Sequence, residues 1–136
     1  IYECWGQDTA TFMINGSRCT RACGFCLVDT QQPEPIDTEE PHRVAQAVER
    51  MGLSHVVITA VARDDLNDGG ASGFVETLRS IRKQAPEVSV EMLIPDFRGR
   101  VAPLESVLVE RPDVVNHNLE TVARLQRAVR SNSSYA

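Results

Sequence analysis

No apolar run in the 136-residue chain approaches the roughly 18 residues that a membrane-spanning helix needs. The opening Ile1-Tyr2-Glu3-Cys4-Trp5 also lacks the basic and apolar regions of a secretory signal, so a cytoplasmic location is the expectation and a membrane partner is not. Positive charge is in short supply: 14 basic against 19 acidic residues leave a net charge of -5. Such a field repels polyphosphate backbones, which argues against nucleic acid as a partner. Cysteine is sparse as well. There are four, and three of them fall within the eight residues 19–26. A disulfide scaffold uses a denser and more scattered set, so the crowding suits a metal better than a framework of bridges. Internal repeats and low-complexity tracts are missing too. The chain opens without an initiator Met and closes at Ser133-Ser134-Tyr135-Ala136 without a helix stop signal, and a fragment is therefore expected.

What is present is the balance of an ordinary globular domain, 42% hydrophobic and 24% charged, with enough length to bury one core. Short β-rich runs alternate with amphipathic stretches, the pattern of βα units around a parallel sheet. The first strand is expected over Thr9 to Ile14, ending at the turn Asn15-Gly16. Residues 29–38 read as a linker, after which Asp37 or Thr38 caps a helix with Pro41 in its first turn and Val44, Val48 and Met51 on one face. Gly52 stops that helix. Val56 to Val61 is nearly continuous apolar sequence, as expected of a strand covered on both faces. A helix with Phe74, Leu78 and Ile81 inside follows and ends at Pro86. A third strand is expected over Val88 to Ile94, a short helix over Leu104 to Val109, and a fourth strand over Asp113 to His117. The last helix is expected to bury Val122, Leu125 and Val129. Four such units form either an open doubly wound sheet or part of a barrel, and the chemistry of the cysteines favours the barrel.

Cys19-x3-Cys23-x2-Cys26 lies on the loop after the first strand, where the backbone can bend to aim three sulfurs at one centre. Three thiolates on a [4Fe-4S] cubane leave one iron without a protein ligand, and an open coordination position is where chemistry can occur. Structural zinc is the bland alternative. It needs four ligands, and no second CxxC or nearby His supplies the fourth, because His42 and His55 fall on other elements. Free or regulatory thiols are the other competing reading.

This spacing after a first strand resembles the signature of the radical S-adenosylmethionine superfamily. Longer strings resemble, in order, those of the lipoyl synthases: Glu3-Cys4-Trp5, Cys19-Thr20-Arg21, Val61-Ala62-Arg63-Asp64-Asp65-Leu66, Asp68-Gly69-Gly70, Ile94-Pro95-Asp96-Phe97 and Asn116-His117-Asn118-Leu119-Glu120-Thr121. The resemblance implies an α/β fold, a partial (βα)6 TIM-type barrel of about four units over residues 9–136, preceded at 1–8 by the end of an auxiliary-cluster segment. It implies that a cluster on Cys19, Cys23 and Cys26 cleaves S-adenosylmethionine to methionine and a 5'-deoxyadenosyl radical. That radical removes hydrogen from C6 and C8 of a protein-bound octanoyl chain. A second, auxiliary [4Fe-4S] cluster then donates the sulfur that completes the lipoyl group. The implied partners are an octanoylated lipoyl carrier domain or H protein, a reductant such as ferredoxin or flavodoxin, and an iron-sulfur carrier.

The resemblance also distributes roles. Phe25 matches an aromatic position near the cofactor's adenine. Cys4 matches the last cysteine of the auxiliary-cluster motif, whose two earlier cysteines are not in this chain; alone, it is an isolated thiol. Arg130-Ser131-Asn132-Ser133-Ser134-Tyr135 invites comparison with the family's Arg-Ser-Ser-Tyr segment. It comes one helix after the fourth strand rather than after the last barrel strand, and it reads as a connection toward a fifth strand. Thr59, Arg63, Asp64 and Asp65 follow the second strand, where carboxylates can accept hydrogen bonds from the cofactor's amino group; the alternative is an Arg63–Asp65 ion pair or a helix cap. Glu91, Asn116 and Asn118 can hydrogen-bond ribose hydroxyls, while His117 reads more as a satisfied structural residue. Arg98 and Arg100 either meet an acidic carrier or are solvated loop charges. The competing function is a non-catalytic truncated remnant or iron-sulfur binding module.

Overall fold

The computed structural model describes residues 8–130 and 132–133, so Cys4 and most of the Arg130-to-Tyr135 string's comparison residues, Ser131, Ser134 and Tyr135, lie outside the described residues. Strands β1 (Thr9–Ile14), β2 (His55–Ala60), β3 (Ser89–Leu93) and β4 (Val114–Asn116) form one sheet in the order β1-β2-β3-β4, every pair parallel. Helices α1 (Glu40–Met51), α2 (Ala71–Gln84), α3 (Val101–Val109) and α4 (Ala123–Val129) follow the strands in turn. A doubly wound sheet reverses its strand order at a switch point. This order runs without reversal, as in the wall of a βα barrel.

Register decides which side chains are buried. Pairing Phe12 with Ile58 and Ile58 with Met92 puts Ala10, Phe12, Ile14, Val56, Ile58, Val90 and Met92 on one face. Against it lie Val44 and Val48 of α1 and Phe74, Leu78 and Ile81 of α2, all in one buried cluster. Each such side chain, taken fully out of water, contributes about 1.5–3 kcal/mol. Phe74 meets Phe97 edge-on, with ring centroids 6.5 Å apart.

The opposite face differs from the sequence expectation. The apolar run at 56–61 predicts a strand covered on both sides, but in β2 only Val56 and Ile58 are fully buried. His55, Val57 and Thr59 point to the other side, where Met13 of β1 is 48% exposed and β4 is exposed throughout. Continuous apolarity records what a strand is built to bury, and among the described residues helices cover one face alone.

Helix ends follow local chemistry. Gly52 adopts a left-handed conformation (φ 61°) and its N–H closes on Glu49 and Val48 carbonyls, which stops α1. At the other end Glu39, not Asp37 or Thr38, occupies the cap position, with no side-chain hydrogen bond. Pro41 sits at the second helical position and has no N–H for a cap to satisfy. Asp37 instead accepts from the Glu39 N–H at 2.9 Å and pairs with Arg43. Helix α3 begins at Val101 rather than Leu104, because Pro103 is tolerated in a first turn. Helix α4 is also turned differently from expectation: Val122 and Leu125 are exposed, and Gln126 is the buried residue. Its amide donates to the Ser133 carbonyl at 3.0 Å, so a polar contact rather than an apolar stripe orients this helix. Among the described residues no helix is long and apolar enough to cross a membrane.

Candidate active site at the cysteine loop

The cysteine loop is rooted at Asn15, a left-handed residue (φ 66°) followed by Gly16 at φ 86°. The Asn15 N–H donates to Glu40 Oε2 at 2.7 Å, its Nδ2 donates to the Gly70 carbonyl at 3.0 Å, and its carbonyl accepts from Arg63 Nη1 at 2.8 Å. Further along, the Cys19 N–H donates to the Asp29 carbonyl at 2.8 Å and the Thr20 N–H to the Ala62 carbonyl at 3.0 Å. The Gly24 N–H reaches the Val129 carbonyl at 2.9 Å. The loop is therefore fastened at its root, at its closing end and at its tip, the last of these to the end of α4.

Cys19, Cys23 and Cys26 line one cavity of about 200 Å³ with Met13, Arg21, Thr59, Leu93, Asn118, Glu120, Arg130 and Ser133. It lies at the carboxyl ends of the strands, where a βα barrel collects its chemistry. A larger depression of about 690 Å³ lies on the outer surface between α2 and α3, but its walls carry no nucleophilic thiol. Cys19 and Cys23 are partly buried, Cys26 is exposed, and all three are free. Burial pushes the Cys23 thiol up, against the pull of the Arg130 guanidinium, which hydrogen-bonds it.

This donor set fits a [4Fe-4S] cluster. Three soft sulfur ligands share one cavity wall, and the Arg21 N–H donates to Cys19 Sγ at 3.4 Å, the kind of contact that tunes such clusters. Among the described residues no three His, Cys, Asp or Glu side chains converge on a single-ion position, whereas a cubane takes each thiolate to a separate iron.

Arg21, between the first two cysteines, is the electrostatic centre of the site. Its side chain is 4% exposed and bridges Asp64, after β2, and Asp96, after β3. The Arg21 hydrogen bonds hold the Asp64 carboxyl below the usual range despite burial. Burial works to raise Asp96, but hydrogen bonds from Arg21 and the Arg98 N–H outweigh it and leave this carboxyl lowered as well.

The residues singled out from sequence fall into separate places. Thr59 and Asn118 line the cavity with the cysteines. Thr59 Oγ1 also donates to the Leu93 carbonyl at 3.2 Å, and the Asn118 carbonyl accepts from Arg130 Nη1 at 3.1 Å. Phe25 is 51% exposed and is not part of the wall. Arg63 is buried and pairs with Asp65 at 2.9 Å, so this pair holds loops together away from the cavity. Asp64 has both oxygens committed to Arg21. Glu91 sits mid-strand on the open face, between His55 Nε2 at 3.2 Å and Asn116 Nδ2. His117 lines the same cavity as the cysteines, and its Nδ1 meets the Ile94 carbonyl at 2.9 Å. Arg98 lies 3.7 Å from Asp64, and Arg100 bonds the Phe97 and Asn67 carbonyls.

Arg21, Asp96, Glu120, Arg130 and Ser133 belong to the site without having been singled out for it from the sequence. A signal existed for two of them. Arg21 lies inside the cysteine spacing, and Asp96 follows β3 as Asp64 follows β2. Arg130 and Ser133 lie in the string compared with the family's Arg-Ser-Ser-Tyr segment, and the structure places both on the cavity wall with the cysteines.

Comparison with known proteins agrees with this geometry. Residues 13–136 match the model of the Radical SAM superfamily. The lipoyl synthases of Rubrobacter xylanophilus and Symbiobacterium thermophilum are each 56% identical over 99% of this chain, which covers 42% of their length. That of Aquifex aeolicus is 53% identical, with 49% of its length covered. The chain thus spans less than half of these curated relatives. A crystal structure of methylornithine synthase superposes on 92% of the chain and 37% of its own with a TM-score of 0.69, at 16% identity, a likeness of fold. Three thiols on the loop after the first strand of a barrel wall, matched across nearly the whole chain, place this protein in the Radical SAM superfamily.

Proposed function

We propose that this chain forms the cofactor-cleaving part of a lipoyl synthase, an enzyme that inserts sulfur at C6 and C8 of a protein-bound octanoyl group. The observation that carries the reading is the shared cavity of Cys19, Cys23 and Cys26, set in a sequence 53–56% identical to named lipoyl synthases. When bound there, a [4Fe-4S] cluster supplies the electron that splits S-adenosylmethionine.

The chain's own residues do the binding and orienting. The three thiolates of Cys19, Cys23 and Cys26 would hold the cluster at the cavity they line, and with only three protein ligands one iron would stay open to the cofactor. Asn118 and Thr59 offer hydrogen-bonding groups on its wall, and Arg130 offers a cation for the cofactor's carboxylate. Asp64, engaged by Arg21, acts on the cofactor only through that arginine. Glu91 and Asn116, paired on the open face, are the further groups for the cofactor's ribose hydroxyls under this reading. Phe25 reaches the adenine only if the exposed loop tip folds over the cofactor. Cys4 belongs to the second, auxiliary cluster, with residues 1–8 as the end of its segment and 9–136 as barrel. Partners under this reading are an octanoylated lipoyl carrier domain or H protein, an iron-sulfur carrier and a low-potential donor such as ferredoxin or flavodoxin, in the cytoplasm.

Anaerobic reconstitution with iron and sulfide tests this reading, and about four irons per site on the three cysteines are expected. Adding S-adenosylmethionine should change the paramagnetic signal of the reduced cluster and, with dithionite, release methionine. A colourless, zinc-loaded product overturns the proposal. A cluster indifferent to the cofactor returns the chain to an iron-sulfur binding module.

A further inference from the structure

Every N–H of one guanidinium is used at the centre of the site. Arg21 Nε donates to Asp64 Oδ2 at 2.7 Å and Nη2 to Asp64 Oδ1 at 2.8 Å. Nη2 also donates to Asp96 Oδ1 at 2.6 Å, and Nη1 to Asp96 Oδ2 at 2.7 Å and to Ser133 Oγ at 2.7 Å. These are two bidentate carboxylate pairs and a hydroxyl on a planar group with five donors, which is the whole capacity of an arginine. Lysine cannot reproduce this, since its ammonium is a point charge that reaches one carboxylate edge at a time. The three acceptors come from three separate segments: the loop after β2, the loop after β3, and the turn after α4.

The backbone of the same residue touches the cysteines. Arg21 lies two positions from both Cys19 and Cys23, and its N–H donates to Cys19 Sγ at 3.4 Å. A rotation of the Arg21 backbone therefore moves a thiol directly. With the guanidinium buried and both carboxylates held in their charged form, that rotation is blocked by the ends of β2 and β3.

We propose that Arg21 is the positioning residue of the cysteine loop, its guanidinium locked between Asp64 and Asp96 so that the three thiolates face the cavity at a fixed angle, with Ser133 drawn over them. The inference rests on the proposed cofactor-cleaving role and deepens it. It separates holding a cluster, which three thiols do alone, from aiming its open corner at the cofactor, which needs the arginine. Outer residues that orient metal ligands typically carry about 10–100-fold in affinity or activity.

The test compares reconstituted wild-type protein with Arg21→Lys and Asp96→Asn, the second keeping shape while removing one charge of the pair. Iron content, far-UV circular dichroism, and the titration of the reduced cluster's paramagnetic signal with S-adenosylmethionine are read together. Both variants are expected to keep their fold and most of their iron while the apparent cofactor affinity falls by about tenfold or more, further for Arg21→Lys than for Asp96→Asn. Variants that bind the cofactor as the wild type does overturn the proposal, as does loss of fold in both, which would make Arg21 a residue of the scaffold alone. A wild type whose cluster ignores the cofactor refutes the proposed function instead, so the two failures are distinct.

Discussion

The carboxamide of Asn15 fills the space beside Gly73 that a Cβ would need. A methyl group built on Gly73 would overlap the Asn15 side chain, whose Nδ2 donates to the Gly70 carbonyl at 3.0 Å. The end of β1 and the first turn of α2 thus touch backbone to side chain at the root of the cysteine loop. Gly73→Ala should destabilise the fold by about 1–3 kcal/mol, the usual cost of overpacking, although alanine favours helix elsewhere. Urea denaturation measures this, and an unchanged midpoint would show that Asn15 moves aside freely.

Acid should act on the Arg21 node. Asp64 and Asp96 both have carboxyls held below the ordinary value of about 4 in the folded state. A depressed folded pKa gives stability that is fully present above the unfolded value and is lost as pH falls through the folded one. Thermal midpoints should therefore be flat near neutrality and fall below about pH 4. Asp64→Asn should lower the neutral plateau and make the acid limb shallower; a limb as steep as that of the wild type would mean that other carboxylates set it.

In the reduced, metal-free protein the three loop thiols should react in order of access. Cys26 is exposed, whereas Cys19 and Cys23 are partly buried, and burial keeps Cys23 protonated. Reactivity follows the thiolate fraction and exposure. Iodoacetamide at neutral pH should label Cys26 first and Cys23 last, as read by peptide mass spectrometry. Equal rates would indicate a loop that opens faster than it reacts.

Phe74 is fully buried against the sheet and meets Phe97 edge-on. Phe74→Ala should cost about 3–5 kcal/mol. Because Phe97 directly follows Asp96, the same change should loosen the loop after β3 and raise its amide hydrogen exchange above that of β2. Protection unaltered at residues 95–99 would separate the core from the site.

Much of the architecture was legible because it rests on local patterns. The apolar runs that became β2 and β3, the glycine that ends α1 and the Asn15-Gly16 turn all obey rules acting within a few residues, and the observed elements sit where those rules put them. Helix α4 escaped the same reading. Val122 and Leu125 are exposed and Val129 is half-buried, while the buried residue is Gln126, whose amide donates to the Ser133 carbonyl.

The cysteine spacing was written in the linear string, since it places three thiols within eight residues of one loop. The partners of that loop were not. Asp64 and Asp96 lie 43 and 75 residues from Arg21, and Ser133 lies 112 away. Only parallel pairing of β1 with β2 and β2 with β3 carries their loops to the same edge of the sheet. In the linear string a carboxylate on such a loop reads equally well as a cofactor ligand or an ion-pair partner, and only folding brings the buried guanidinium within 3 Å of both carboxylates.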